Sequence, residues 1–123
     1  MHYFLGIVLL ARGEPQSALA EMAKDTQEPT RLGGSAIANF ALGRKADSDT
    51  ALAQMLKEQA NHPYFIAQVY AYRGEMNKAL TWLDLAYAQK DASLALLKSQ
   101  ERFMKLEGDP HYKAFLGKMN LPQ

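Results

Sequence analysis

The segment YAYRGEMNKALTWLDLAYAQKD, Tyr70 to Asp91, reads as two helices joined by a tight turn at Gly74. Val69 and Tyr70 before the glycine, and Leu80, Leu83 and Ala86 after it, recur at helical spacing, while Trp82 and Tyr87 add apolar area beyond that stripe. Neither helix buries such a face alone, so the segment must be stacked against something. Internal repetition is the first place to look for it.

Gly13, Gly43 and Gly74 lie 30 and 31 residues apart, and other positions keep the same two offsets. Seven residues before each glycine stands a tiny residue, Gly6, Ala36 and Ala67; five after it stands another small one, Ala18, Ser48 and Ala79. Nine after come Met22, Leu52 and Leu83. Antiparallel helices approach to about 8 Å only where side chains are small, so one small residue per helix defines the contact of a helical hairpin. Each glycine can take the left-handed conformation that ends a helix and lets the chain turn.

Start signals follow the turns. Pro15 in GEPQSAL suits a first helical turn, Asp47 in KADSDTAL can accept from unpaired amides, and in ANHPYFIA Asn61 or His62 can cap a helix that opens at Pro63. Period-two alternation is missing, so strands are not expected. The expected class is all-α, with helices near 2–12, 15–25, 31–42, 47–60, 63–73, 76–90, 92–106 and 110–119.

Composition narrows the function. A chain of 123 residues is long enough for one domain that buries roughly two thirds of its unfolded surface, with no need of disulfide or metal. Its lack of cysteine excludes a disulfide framework and a thiolate zinc site and fits a cytoplasmic protein. Fourteen Lys and Arg against 13 Asp and Glu leave a formal charge of +1, without the basic excess that nucleic-acid binding calls for. The apolar run FLGIVLLA, Phe4 to Ala11, is far shorter than the ~20 residues a bilayer span requires. It also lacks a preceding Lys or Arg, and RGEP follows where a signal-peptide cleavage site would stand. No membrane association is expected.

The repeat columns resemble the tetratricopeptide repeat (TPR) family, whose units carry a small residue in the first helix, a glycine at the turn, then small, large and small residues down the second helix. Ala67, Tyr70, Gly74, Ala79, Leu83 and Ala86 match in the third unit; Leu5, Gly6, Gly13, Ala18 and Met22 in the first; Ala36, Gly43 and Leu52 in the second, with Ser48 for alanine and Asn39 for the usual aromatic. The spacing is shorter than the family's usual ~34 residues. From Ile66 to Leu97, and through GDPHYKAFLGKMNLP, the chain also resembles the C-terminal end of the repeat region in some bacterial adenylate cyclases and winged-helix regulators. Asp109-Pro110 and Leu121-Pro122 carry that likeness, and Ser99-Gln100-Glu101 departs from it.

The resemblance implies an α-solenoid of about three TPR-like hairpins, units 1–30, 31–60 and 61–91, forming one domain with capping helices over 92–119. In the closing segment Tyr112, Phe115, Leu116 and Met119 make one apolar stripe, as a cap would. It further implies a concave peptide groove lined by Tyr3, Ile7, Leu10, Ile37, Phe40, Tyr64, Gln68 and Tyr72. Those residues lack the Lys, Asn and Arg that clamp a terminal carboxylate in chaperone-binding members, so an apolar or amphipathic segment is the expected ligand. For Ile37, Phe40 and Tyr64, packing between repeats is the alternative.

The first helix is apolar nearly all round, through Tyr3, Phe4, Leu5, Ile7, Val8, Leu9 and Leu10, as a helix covered on more than one side would be. Three arrangements answer it: the chain is cut from a longer protein, it pairs as a homodimer through this helix, or residues 92–119 fold back over the face. Chemistry finds little support. His2, His62 and His111 fall in separate elements with no paired-ligand spacing, so neither catalytic residues nor a metal or other cofactor are expected. RLGGSA, Arg31 to Ala36, has no preceding strand and no GK[ST] ending, so its glycines read as close-packing positions or as loosening the start of the second unit. The expected function is a non-enzymatic scaffold for a protein or peptide; the alternative is a regulatory or self-association region of a larger bacterial signalling protein.

Overall fold

A computed structural model describes residues 2–24, 28–58, 62–97 and 109–118. These residues form helices α1 (His2–Ala11), α2 (Pro15–Met22), α3 (Glu28–Ala41), α4 (Lys45–Glu58), α5 (Pro63–Tyr72) and α6 (Met76–Ala88), a short 3-10 turn (Ala92–Leu96) and helix α7 (Pro110–Lys118). Among the described residues there is no strand.

The chain divides into two compact units, Met1–Asn61 and His62–Gln123. In the first, α1 pairs with α2 and α3 with α4, while α3 also packs on both α1 and α2. In the second, α5 pairs with α6, and α7 packs on α6. Helix α3 begins three residues ahead of the expected start, because Pro29 falls in its first turn, where a missing N–H leaves no bond unmade. The helix expected over 92–106 opens instead as the 3-10 turn; its remainder, with Ser99-Gln100-Glu101, Met119 and Leu121-Pro122, lies outside the described residues.

The three glycine turns share one geometry. Gly13, Gly43 and Gly74 have φ of 76°, 79° and 82°. Each N–H donates to the carbonyl three residues back, and the next N–H donates to the carbonyl five back: Glu14 to Leu9 at 2.9 Å, Arg44 to Asn39 at 2.8 Å, Glu75 to Tyr70 at 2.9 Å. This is the Schellman termination, which satisfies carbonyls left over at a helix end. A fourth copy ends α6, where Asp91 donates to Ala86 at 2.9 Å and Lys90 holds φ at 56°. A side chain in that left-handed region costs about 1 kcal/mol that glycine would not incur.

The small columns sit inside. Gly6, Ala36 and Ala67 are buried, as are Ala18, Ser48 and Ala79, and the large positions Met22, Leu52 and Leu83. In the α3–α4 hairpin the contact is explicit, since the Ser48 hydroxyl donates to the Ala36 carbonyl at 2.7 Å. Where α1, α2 and α3 converge, Met22 fills a notch between two glycines. A methyl group on Gly6 would stand 2.6 Å from Met22 Cε, and one on Gly34 only 2.8 Å from Met22 Cβ. RLGGSA is therefore helix, and Gly34 serves close packing.

Carboxylates cap the second unit. Of the two candidate caps, His62 holds the residue position ahead of α5, and its side chain makes no capping bond. Asp91 makes one from a distance in sequence: Oδ2 accepts from Tyr64 N–H at 3.3 Å while Oδ1 accepts from Ser93 N–H at 2.9 Å. The other candidate, Asn61, lies outside the described residues. Asp109 Oδ1 accepts from Tyr112 N–H at 3.0 Å, so the Asp-Pro pair is a cap followed by a proline in the first turn of α7. Tyr112, Phe115 and Leu116 are buried, and Phe115 meets Tyr87 edge to face at 6.3 Å.

Two outcomes test this packing. Lys90→Gly should raise the unfolding free energy by about 0.5–1 kcal/mol in urea melts, because it relieves the left-handed side chain. Gly34→Ala should lower it, since overpacking costs about 1–3 kcal/mol and alanine's helix preference returns only about 1. In a Met22→Gly background, which removes Cβ together with the rest of that side chain, Gly34→Ala should become neutral or favourable; the same loss in both backgrounds would show that Met22 is not what the methyl group meets.

Candidate interaction surfaces

Positions that offer area to a partner must first be exposed. Of the eight residues assigned to a groove, Ile7, Leu10, Phe40 and Tyr72 are half-buried, whereas Ile37, Tyr64 and Gln68 have no exposed surface. A side chain without exposed surface cannot line an open groove, so the assignment is corrected at those three. They contribute to the buried interior. The side chain of Tyr3 lies outside the described residues.

The most exposed large apolar residues stand on a different face. Leu5 and Val8 of α1 are 46% and 50% exposed, and no described segment covers them. Leu5, one of the residues that match the repeat pattern, is among them. The signal was present in the sequence: a helix apolar all round keeps apolar area on whichever side its neighbours leave open. Gly6, on the opposite side of α1, is the buried contact with Met22. On α6, Leu85 and Tyr87 are each 38% exposed.

Polar side chains gather along two clefts, one in each unit. In the first unit a cleft of about 320 Å³ runs between α3 and α4, with Arg31, Ser35 and Asn39 on one wall and Asp47, Thr50 and Gln54 on the other. Asn39 Nδ2 donates back to the Ser35 carbonyl at 2.9 Å, an intrahelical bond made where the repeat pattern wants an aromatic ring. In the second unit a cleft of about 490 Å³ lies between α6 and α7, with Asn77, Thr81 and Asp84 facing His111 above an apolar base. Sequence reasoning found neither cleft, since both depend on which helix faces meet.

Asp47 lies within the first turn of α4, where a carboxylate is favoured by the helix dipole. Among the described residues no group of three His, Cys, Asp or Glu side chains is placed to hold a metal ion. No helix there is long and apolar enough to cross a membrane.

The buried Tyr64 has a phenol pushed well above the usual tyrosine range, first by burial and then by the negative charge of Asp91. Tyr72 is raised as well, by burial. Comparison with protein-family models, curated proteins and solved structures finds no match.

A pH titration tests the Tyr64 environment. Unfolded tyrosine ionises near pH ~10, whereas folded Tyr64 keeps its proton beyond that. Its contribution to stability is therefore complete below pH ~10 and is lost as pH climbs from there toward the raised folded value. Wild-type protein should show a late tyrosinate absorbance step that coincides with loss of helical circular dichroism, smaller by one tyrosine in Tyr64→Phe. Ionisation of every tyrosine near pH ~10 with helical signal intact would contradict this.

Proposed function

We propose that the chain is a non-enzymatic interaction scaffold, built of TPR-like hairpins that belong to a solenoid, and that it binds an apolar or amphipathic polypeptide segment. The observation that carries this reading is the apolar face of α1. From His2 to Ala11 that helix has no Asp, Glu, Lys or Arg, yet Leu5 and Val8 face solvent. Contiguous apolar surface of this kind is the usual mark of a docking face. The hairpin turns and small-residue contacts support the same reading, because they fix helices firmly while leaving outer faces free to vary.

The half-buried groove candidates Ile7, Leu10, Phe40 and Tyr72 remain able to contribute contact area. With Ile37, Tyr64 and Gln68 removed, α1 becomes the principal surface. A cytoplasmic setting and the absence of nucleic-acid, membrane, cofactor and catalytic roles belong to this proposal. The same α1 face favours a second reading, a regulatory or self-association region of a larger bacterial signalling protein of the cyclase or winged-helix regulator kind. There the covering partner is another part of that protein or a second copy.

A photo-crosslinking residue at Val8 separates these outcomes. It should give a defined polypeptide adduct in native cells, while the same residue at the exposed Gln16 of α2 should not. An adduct of twice the chain's mass identifies homodimerisation, and one with an unrelated protein identifies a scaffold. Equal labelling at both positions, or none at either, would remove the α1 reading.

A further inference from the structure

Helix α1 holds the same place in its hairpin as α3 holds in the next, 30 residues on, yet the two differ in what covers them. α3 packs on its own partner α4 and also on α1 and α2, the hairpin ahead of it. Among the described residues α1 has no hairpin ahead of it. Burial follows that difference. Ile37 and Ala38 of α3 have no exposed surface, whereas at the equivalent places in α1 Ile7 is half-buried and Val8 is 50% exposed. Ala38 lies one helical turn from Gly34, the residue against which Met22 of α2 is seated. Val8 therefore stands on the face of α1 that, in α3, receives the second helix of the preceding hairpin.

Both sides of that internal contact define the chemistry of a helix that would fit. α2 runs PQSALAEM, and its one charge, Glu21, pairs with Lys24 at 3.5 Å, so it brings an apolar surface to α3. α1 has no Asp, Glu, Lys or Arg between His2 and Ala11, so it offers nothing to a charge on an occupant. A second copy has no such helix to spare. Its α2 is seated on α3 and its α6 on α7, while α4 has Ala51, Leu52 and Met55 buried and carries Asp47, Asp49, Lys57 and Glu58 on its exposed side. An extended segment fits poorly as well, because it would press unpaired backbone groups against an apolar face, whereas a helix arrives with them already bonded.

Taking α1 as a docking face, as above, we propose that its occupant is an amphipathic helix of a different polypeptide, laid along α1 as α2 lies on α3. Its uncharged apolar stripe covers Ile7 and Val8 and reaches Leu5 one turn away. The chain thereby accepts from a partner the contact that it makes internally one hairpin later.

The test is a ¹⁵N NMR titration of the full chain with a hydrocarbon-stapled peptide of the α2 sequence, Glu14 to Lys24, the staple replacing the exposed Gln16 and Ala20. Two controls accompany it, an unstapled form with Ala20→Pro, which cannot hold the helix, and a stapled form with Met22→Asp. The stapled peptide should give saturable shifts at Ile7 and Val8, with both controls about tenfold weaker or more. In the protein, Val8→Asp should weaken the stapled peptide by about tenfold, and Val8→Ser by a smaller factor, with the wild-type helical signal kept. Equal binding of the proline peptide, or unchanged affinity in folded Val8→Asp and Val8→Ser, would overturn the helical occupant while the Val8 crosslink still decides whether α1 is a docking face. Absence of shifts at Val8 with the stapled peptide, or Val8 shifts that grow with protein concentration when no peptide is present, would overturn it as well, the latter by placing a second copy on α1.

Discussion

Close approach of helices at small side chains is the constraint on which the rest depends. Met22 of α2 reaches into a space that exists only because Gly6 of α1 and Gly34 of α3 have no side chains. One hairpin on, the Ser48 hydroxyl reaches the Ala36 carbonyl across the α3–α4 contact at 2.7 Å. A larger residue at any of these places would push the helices apart. Glycine within a helix weakens it by about 1 kcal/mol, and two such sites facing one methionine show that tight contact outweighs helix preference here.

Fixed hairpins decide which surfaces remain. In α1 the side carrying Gly6 is turned inward, so Leu5 and Val8 face outward, and an apolar helix ends with solvent on one flank. In the second unit the buried Tyr112, Phe115 and Leu116 seat α7 on α6, and the polar residues beyond that contact frame the cleft. Stable packing and open surface are thus two results of the same contacts.

The sequence made the hairpins readable because turn chemistry is local. A glycine at positive φ with its two backbone bonds needs only a few neighbouring residues, and the intervals between Gly13, Gly43 and Gly74 exposed the repeat directly. Lys90 repeats the same turn without the glycine, so residue type gave no signal for it. The groove at Ile37, Tyr64 and Gln68 failed for a different reason. A position's burial depends on every helix near it, and a family pattern cannot say how deep one chain's own packing will draw a side chain. Asp91, a cap acting across 27 residues of sequence on Tyr64, was equally beyond local reading.

Native-state hydrogen exchange tests the central claim most directly, because it reports local opening residue by residue. If tight small-residue contacts hold the hairpins, the amides of Ala36, Ala67 and Leu83 will exchange only through global unfolding, with the full denaturant dependence of the equilibrium transition. Exchange of those amides through low-energy local openings, as fast as amides on the exposed flank of α1, would show that the contacts do not hold the structure together.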